Sequence, residues 1–288
     1  MNRRLFVAGM VSAAARAQVD GAVLGYALDA EGRVRPLVGP AGSAYLAEAM
    51  VGGLALRAWA GSYGLDSDGF VYYGAGIGEL RRVEAAGGGW QEVISAARPE
   101  VALVQNGSRV ARLRGGGADG AVELGFPATR LAVGADGERI VGADAERCAG
   151  WSSEGRQLFQ YPIVGVRALA VLPGNGGFCG LGETLFRVDD AGQREDYGTV
   201  AGAAMALTAD GATVVVLDSE GMAVRTLDLA TRSWKKWELP LVARQLLPLR
   251  DGRTFVAMGD AGEAIWTLAL QGADARWAQV PMAGGGRK

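Results

Sequence analysis

Seven times along this chain an apolar run ends in an acidic residue or Asn, or one step after it, at a Gly. The runs are "ALDAEG" to Gly32, "GLDSDG" to Gly69, "ALVQNG" to Gly107, "AVGADG" to Gly137, "VLPGNG" to Gly176, "ALTADG" to Gly211 and "LPLRDG" to Gly252. Such dipeptides close tight hairpins, because Gly takes positive φ at no steric cost and Asp or Asn bonds its own backbone. The intervals between the glycines are 37, 38, 30, 39, 35 and 41 residues, which is a structural period. Gly is abundant, at 46 of 288 residues, yet shows no three-residue repeat, so it marks turns and not a collagen-like chain.

Each turn is followed by a second apolar segment: "RVRPLVG", "FVYYGAG", "SRVARLR", "ERIVGAD", "GFCGLG", "TVVVLD" and "RTFVAMG". Further segments follow in the better repeats, such as "AVRTLDL" and "WKKWELP", or "ELRRVEA" and "WQEVI". Four short strands every forty residues predict an all-β chain of four-stranded antiparallel blades closed radially into a β-propeller, which leaves few strand edges open. The period predicts seven blades. Six is the alternative if "GYALDAEGRVRPLVG" is a stray hairpin, and the short interval from Gly107 to Gly137 suggests a lost strand. Ring closure is expected from an N-terminal strand joining the last blade as a clasp. The fourth segments carry aromatics at Trp90, Phe159, Tyr197, Trp234 and Trp277, expected to pack against the next blade. "GSAYLAEAM" is the only helix-like stretch after the N-terminus, and it reads equally as a loop turn or a distorted strand.

Residues 1–17 read differently. Arg3 and Arg4 precede an apolar run from Leu5 to Ala15 and an A-x-A pattern at Ala15 to Ala17, as in a signal peptide cut before Gln18. The twin arginines also fit an export signal for folded cargo. Domain organisation is thus a leader, 1–17, and one propeller, 18–288, expected to be secreted or periplasmic and monomeric, with no membrane span.

One blade carries a family resemblance. "TVVVLDSEGMAVRTLDLATR", residues 213–232, resembles the repeat of bacterial secreted YVTN-type, WD-like propellers, with its V-x-V strand at Val214 to Val216 and its V-x-x-L-D-L-A-T strand at Val224 to Thr231. No Trp-Asp dipeptide accompanies it. The resemblance implies fold and export, and little chemistry.

Histidine is absent, which removes the commonest general base and zinc ligand. A net charge of −2 without basic runs argues against nucleic acid. Asp66 and Asp68 in "DSDG", and Asp189 and Asp190 in "VDDAG", supply too few oxygens for a calcium loop and are expected to bond turn N–H groups. No catalytic residue, metal ligand or cofactor motif is assigned. Counting back from each turn to the start of the blade's first strand gives Glu100, Arg130, Arg167 and Arg244, with Ala204 in the equivalent place. These are the candidate channel-mouth residues, for a protein, peptide or small anion, since guanidinium groups offer paired donors to carboxylate or phosphate. Cys148 and Cys179, one repeat apart, are either a disulfide or two buried thiols. Two functions follow: a non-catalytic binding module, or a metal-dependent lactonase-like hydrolase with diverged ligands.

Overall fold

The computed structural model describes residues 22–40, 43–50, 54–74, 76–77, 80–174, 176–259, 265–271 and 274–281. The proposed leader, 1–17, lies outside them. Seven antiparallel sheets follow one another along the chain, with no α-helix among the described residues and a single 3-10 turn at Glu84–Ala86. This is a seven-bladed β-propeller.

Blade 1 holds β1 (Val23–Leu28), β2 (Val34–Val38) and β3 (Tyr45–Leu46). The helix-like stretch is therefore a short strand with extended flanks. Blade 2 holds β4 (Ala58–Ala60), β5 (Tyr63–Leu65), β6 (Val71–Gly74) and β7 (Leu80–Arg82). Blade 3 holds β8 (Glu92–Ser95), β9 (Val101–Asn106), β10 (Arg109–Arg114), β11 (Gly117–Ala118) and β12 (Val122–Glu123), the last two both pairing with β10. Blade 4 is β13 (Arg130–Val133), β14 (Arg139–Ala143), β15 (Cys148–Ser152) and β16 (Gln157–Tyr161). Blade 5 is β17 (Ala168–Val171), β18 (Phe178–Leu181), β19 (Thr184–Val188) and β20 (Arg194–Thr199). Blade 6 is β21 (Gly202–Leu207), β22 (Thr213–Asp218), β23 (Ala223–Asp228) and β24 (Ser233–Glu238). Blade 7 is β25 (Gln245–Pro248), β26 (Thr254–Met258), β27 (Ile265–Gln271) and β28 (Asp274–Val280).

The glycine period proves to mix two kinds of turn. Gly137, Gly176, Gly211 and Gly252 lie in the first hairpin of blades 4 to 7, whereas Gly69 and Gly107 lie in the second hairpin of blades 2 and 3. The short interval from Gly107 to Gly137 is where the marker changes hairpin, so no strand is lost there. "WQEVI" is accordingly the entry to blade 3 and not the end of blade 2, and Trp90 precedes β8 as a buried loop residue. "FVYYGAG" and "SRVARLR" form third strands, and "ELRRVEA" a fourth.

Blades seal one another face to face. Alternation along each strand sends successive side chains to opposite faces, so each blade contributes to two interfaces. In blade 4, Leu131, Val133, Ile140 and Trp151 meet blade 3 through Val101, Leu103 and Val110, while Val141 and Cys148 meet blade 5 through Phe178 and Val188. Outer-strand aromatics join these seams: Phe159 stacks on Phe178 of the next blade with ring centroids 5.5 Å apart, and Trp234 Nε1 donates to Tyr197 O of the previous blade at 3.1 Å. Blade 1 sits between blade 7, through Leu24, Leu37 and Val256, and blade 2, through Tyr26 and Trp59. Among the described strands β28 pairs with β27 alone, while β1 and β2 form their own sheet with β3, so neither of them makes the expected clasp to the last blade.

Of the two readings of Cys148 and Cys179, the structure has two free, buried thiols and no disulfide. The reason is strand parity. Phe178 faces blade 4 and meets Cys148, so its neighbour Cys179 points through the other face of the blade 5 sheet, toward Leu207 and Val214 of blade 6.

Candidate binding site at the channel mouth

The innermost strands β4, β8, β13, β17, β21 and β25 run in the same direction round the axis, so their N-terminal ends form one mouth of the channel. The residue that leads into five of these six strands is fixed by a backbone bond to the second strand of its blade. Arg57 N donates to Leu65 O at 2.8 Å, Gln91 N to Gln105 O at 2.8 Å and Thr129 N to Ala143 O at 2.8 Å. Arg167 N donates to Leu181 O and Arg244 N to Met258 O, each at 2.7 Å. Arg57, Arg167 and Arg244 therefore occupy one structural position in three blades, with Arg130 one residue further along in a fourth.

Arg57 escaped sequence reasoning because Gly69, from which the count ran back, closes the second hairpin of its blade and not the first. Counting from Gly61, which has φ +61° between β4 and β5, would have found it. The same miscount displaced Glu100. It lies in the β8–β9 turn at the opposite end of the channel, where its backbone O accepts from Tyr63 Oη at 3.2 Å and from Gly115 N at 3.2 Å. Its Oε2 is buried without a hydrogen-bond partner. The four sequence candidates are thus three arginines at one mouth and one carboxylate at the other.

Each guanidinium whose bonds are resolved is seated on backbone. Arg57 Nε donates to Asp66 O at 2.9 Å and its Nη2 to Trp90 O at 2.5 Å. Arg167 Nη2 donates to Gly182 O, at the same point of its own blade. Arg130 Nε reaches Arg167 O at 2.7 Å, and its Nη1 reaches Thr129 O at 2.6 Å. A guanidinium has five N–H donors, so these bonds orient the groups and leave donors for a further acceptor. All four arginines are exposed. Arg130 and Arg167 rim a channel cavity of about 350 Å³ whose wall is mostly small: Ala132, Ala168, Ala170, Ala204 and Ala206.

On the same side of blades 2, 4 and 6, an aspartate at the second hairpin has its Oδ1 bonded to turn N–H groups. Asp66 Oδ1 accepts from Asp68 N at 3.0 Å and Phe70 N at 2.8 Å. Asp144 Oδ1 accepts from Glu146 N and Arg147 N at 2.9 Å each, and Asp218 Oδ1 from Met222 N at 2.8 Å. The Glu146 N–H is the main reason the Asp144 carboxyl lies below the usual carboxylate range, helped by Arg147. Burial would raise Asp29, but the Arg33 N–H and the Arg35 and Arg33 guanidiniums outweigh it and hold it low. At the other end of blade 5, Asp189 Oδ1 accepts from Gln193 N at 2.8 Å. Asp66 and Asp189 thus bond turn N–H groups as expected, whereas Asp190 makes an ion pair with Arg139 of blade 4. The described residues contain no group of three or more His, Cys, Asp or Glu set to hold a metal ion.

The same mouth presents apolar residues to solvent. Val164, 75% exposed, precedes blade 5, and Val242 precedes blade 7. Met222, half exposed in the second hairpin of blade 6, neighbours Val242, since Ala243 N donates to Gly221 O at 2.7 Å.

No protein-family model matches the chain, and no curated protein matches it in sequence. Among solved structures it is similar to the β-propeller domain of Cps50 (Swd1) from Myceliophteria thermophila, at 14% identity and a TM-score of 0.53, over 66% of this chain and 70% of that one. Hydrazine synthase of Kuenenia stuttgartiensis aligns at 12% identity and a TM-score of 0.47, over 66% and 65%. U3-55K aligns at 12% identity and 0.46, over 62% and 60%. At these identities the similarity to Cps50 establishes the fold alone.

Proposed function

We propose that the chain is a non-catalytic binding module whose arginine-lined mouth takes a carboxylate-bearing loop of a protein or peptide partner. The observation that carries this reading is the recurrence of Arg57, Arg167 and Arg244 at one structural position, with Arg130 beside them. The nearby aspartates Asp66, Asp144 and Asp218 each have an oxygen already bonded to a turn. Backbone seating pre-orients the guanidiniums, which lowers the ordering cost of binding, and carboxylate is the acceptor their planar donors match. Val164, Met222 and Val242 on the same face add apolar area beyond what a free small anion needs.

The test is retention on immobilised poly-glutamate, with citrate in a second arm to represent a free small anion. The wild-type chain is expected to bind the peptide column in a salt-sensitive way and to bind citrate weakly. Arg130→Ala, Arg167→Ala and Arg244→Ala combined should abolish retention, whereas replacing Arg139, Arg194 and Arg232, which lie away from the mouth, should not. Equal retention of the two triple variants overturns the proposal.

A further inference from the structure

The arginine position at the mouth has one small occupant. In blades 5 and 7 the residue after the arginine pairs with the second strand, Ala168 with Leu181 and Gln245 with Met258, and the same rung in blade 6 joins Ala204 to Leu217. Ala203 therefore stands where Arg167 and Arg244 stand. It is exposed, as is Ala201 before it. Arg57, Gln91, Thr129, Arg167 and Arg244 hold this position in the other five of the six blades with innermost strands β4, β8, β13, β17, β21 and β25, so Ala203 is the smallest of the set.

Backbone bonds hold that small segment between two hairpins. Val200 N donates to Glu183 O, in the second hairpin of blade 5, at 3.3 Å, and Ser219 N, in the second hairpin of blade 6, donates to Ala201 O at 3.0 Å. Arg167 Nη2 is seated on Gly182 O, next to Glu183, so its guanidinium borders the segment on the blade 5 side. Arg244 follows Ala243, whose N–H bonds Gly221 O at 2.7 Å, and so borders it on the blade 7 side. The rim thus dips over blade 6, with an arginine on each flank.

Apolar exposure gathers at the same sector. Four large apolar side chains are exposed among the described residues, Leu158, Val164, Met222 and Val242. Leu158 lies on the outer strand β16, but the other three flank the dip, in the entry to blade 5, the second hairpin of blade 6 and the entry to blade 7. Single exposed apolar residues are ordinary, whereas a group of them beside one depression marks a contact surface. Glu183 and Glu220 are also exposed, on second hairpins that lie further from the axis than the arginines. Charge along the dip therefore runs from positive near the axis to negative outside it.

Resting on the proposed binding mouth, we infer that the partner segment is an extended peptide laid across blade 6, with a carboxylate toward the axis between Arg167 and Arg244 and an apolar side chain outward of it on Met222 and Val242. Ala201 and Ala203 let its backbone approach the rim. The guanidiniums supply the charge complement to the carboxylate, and the outer glutamates repel a second acid, so the preferred ligand mixes acidic and apolar residues and is not uniformly acidic.

The test compares three short labelled peptides by fluorescence anisotropy, built as repeats of Glu-Leu-Ser, Glu-Ser-Ser and Gln-Leu-Ser. The wild-type chain should bind the Glu-Leu-Ser peptide at least about tenfold more tightly than either of the others, as covering two apolar side chains requires. Met222→Ser combined with Val242→Ser should remove that preference and leave the Glu-Ser-Ser peptide unchanged. Ala203→Trp, which adds bulk at an exposed site, should weaken the Glu-Leu-Ser peptide by about tenfold or more, whereas Leu158→Ser should change nothing. Equal wild-type binding of the Glu-Leu-Ser and Glu-Ser-Ser peptides overturns the inference, as does a Met222 and Val242 variant that keeps the preference; retention on poly-glutamate then still supports the arginine mouth. Failure to bind any of the peptides, together with no retention on poly-glutamate, overturns the mouth and this inference together.

Discussion

Arg57 Nε lies 2.9 Å from the carbonyl oxygen of Asp66, so the residue that leads into the innermost strand of blade 2 also holds that blade's second hairpin. Its Nη2 bonds Trp90 O in the loop entering blade 3. One side chain thus ties three segments, and hydrogen bonds from a charged donor contribute more than neutral ones. Arg57→Ala is expected to lower unfolding free energy by about 1–3 kcal/mol, measured by urea titration. Arg57→Lys should recover little of it, because an ammonium cannot span both carbonyls in the guanidinium plane.

The two thiols are expected to be silent in the native protein. Burial pushes both Cys148 and Cys179 up to about 12, so neither supplies thiolate at neutral pH. A thiol-specific chromogen should count none in buffer and both in denaturant, with no change on prior reduction. A single reactive thiol in the native state, or none after unfolding, would contradict the free, opposite-facing placement.

Acid sensitivity should come from the turn aspartates. Asp144, Asp210 and Asp29 have folded pKa values below the ordinary 3.8, set for Asp144 by the Glu146 N–H, for Asp210 by the Thr208 hydroxyl, and for Asp29 by the Arg33 and Arg35 contacts that outweigh its burial. A depressed folded pKa stabilises the native state fully above 3.8 and loses that contribution as pH falls through the lower folded value. Unfolding free energy should therefore be flat near pH 6 and decline below about pH 4. Asp144→Asn should make the decline shallower, as followed by denaturant titration at each pH.

Glycines separate into tight and open turns. At Gly221, φ is +74° and a Cβ would stand 2.2 Å from Ala243 O, whereas Gly107, at φ +62°, faces open space. Gly107→Ala should cost about 1 kcal/mol from left-handed backbone alone. Gly221→Ala adds a backbone clash between blades 6 and 7 and should cost at least about 2 kcal/mol more, seen as a lower thermal midpoint.

Alternation and turn chemistry are local properties, and they made the all-β architecture and the seven repeats legible from residues such as "LTADGATVVVLD" alone. The turn role of Asp66 and Asp189 was legible for the same reason, since a carboxylate bonding N–H groups two to four residues on needs no tertiary partner. Which hairpin a glycine closes was not legible. First and second hairpins use the same dipeptides, and only the position of a strand relative to the channel tells them apart; this is why Glu100 went to the wrong mouth and Arg57 went unseen. Strand parity decided the cysteines in the same manner, because one residue of register chooses which face of a sheet, and hence which neighbouring blade, a side chain meets. The periodic text determined what the units are, and the closed ring decided what each unit turns toward its axis, because facing is a relation between sheets that no single repeat contains.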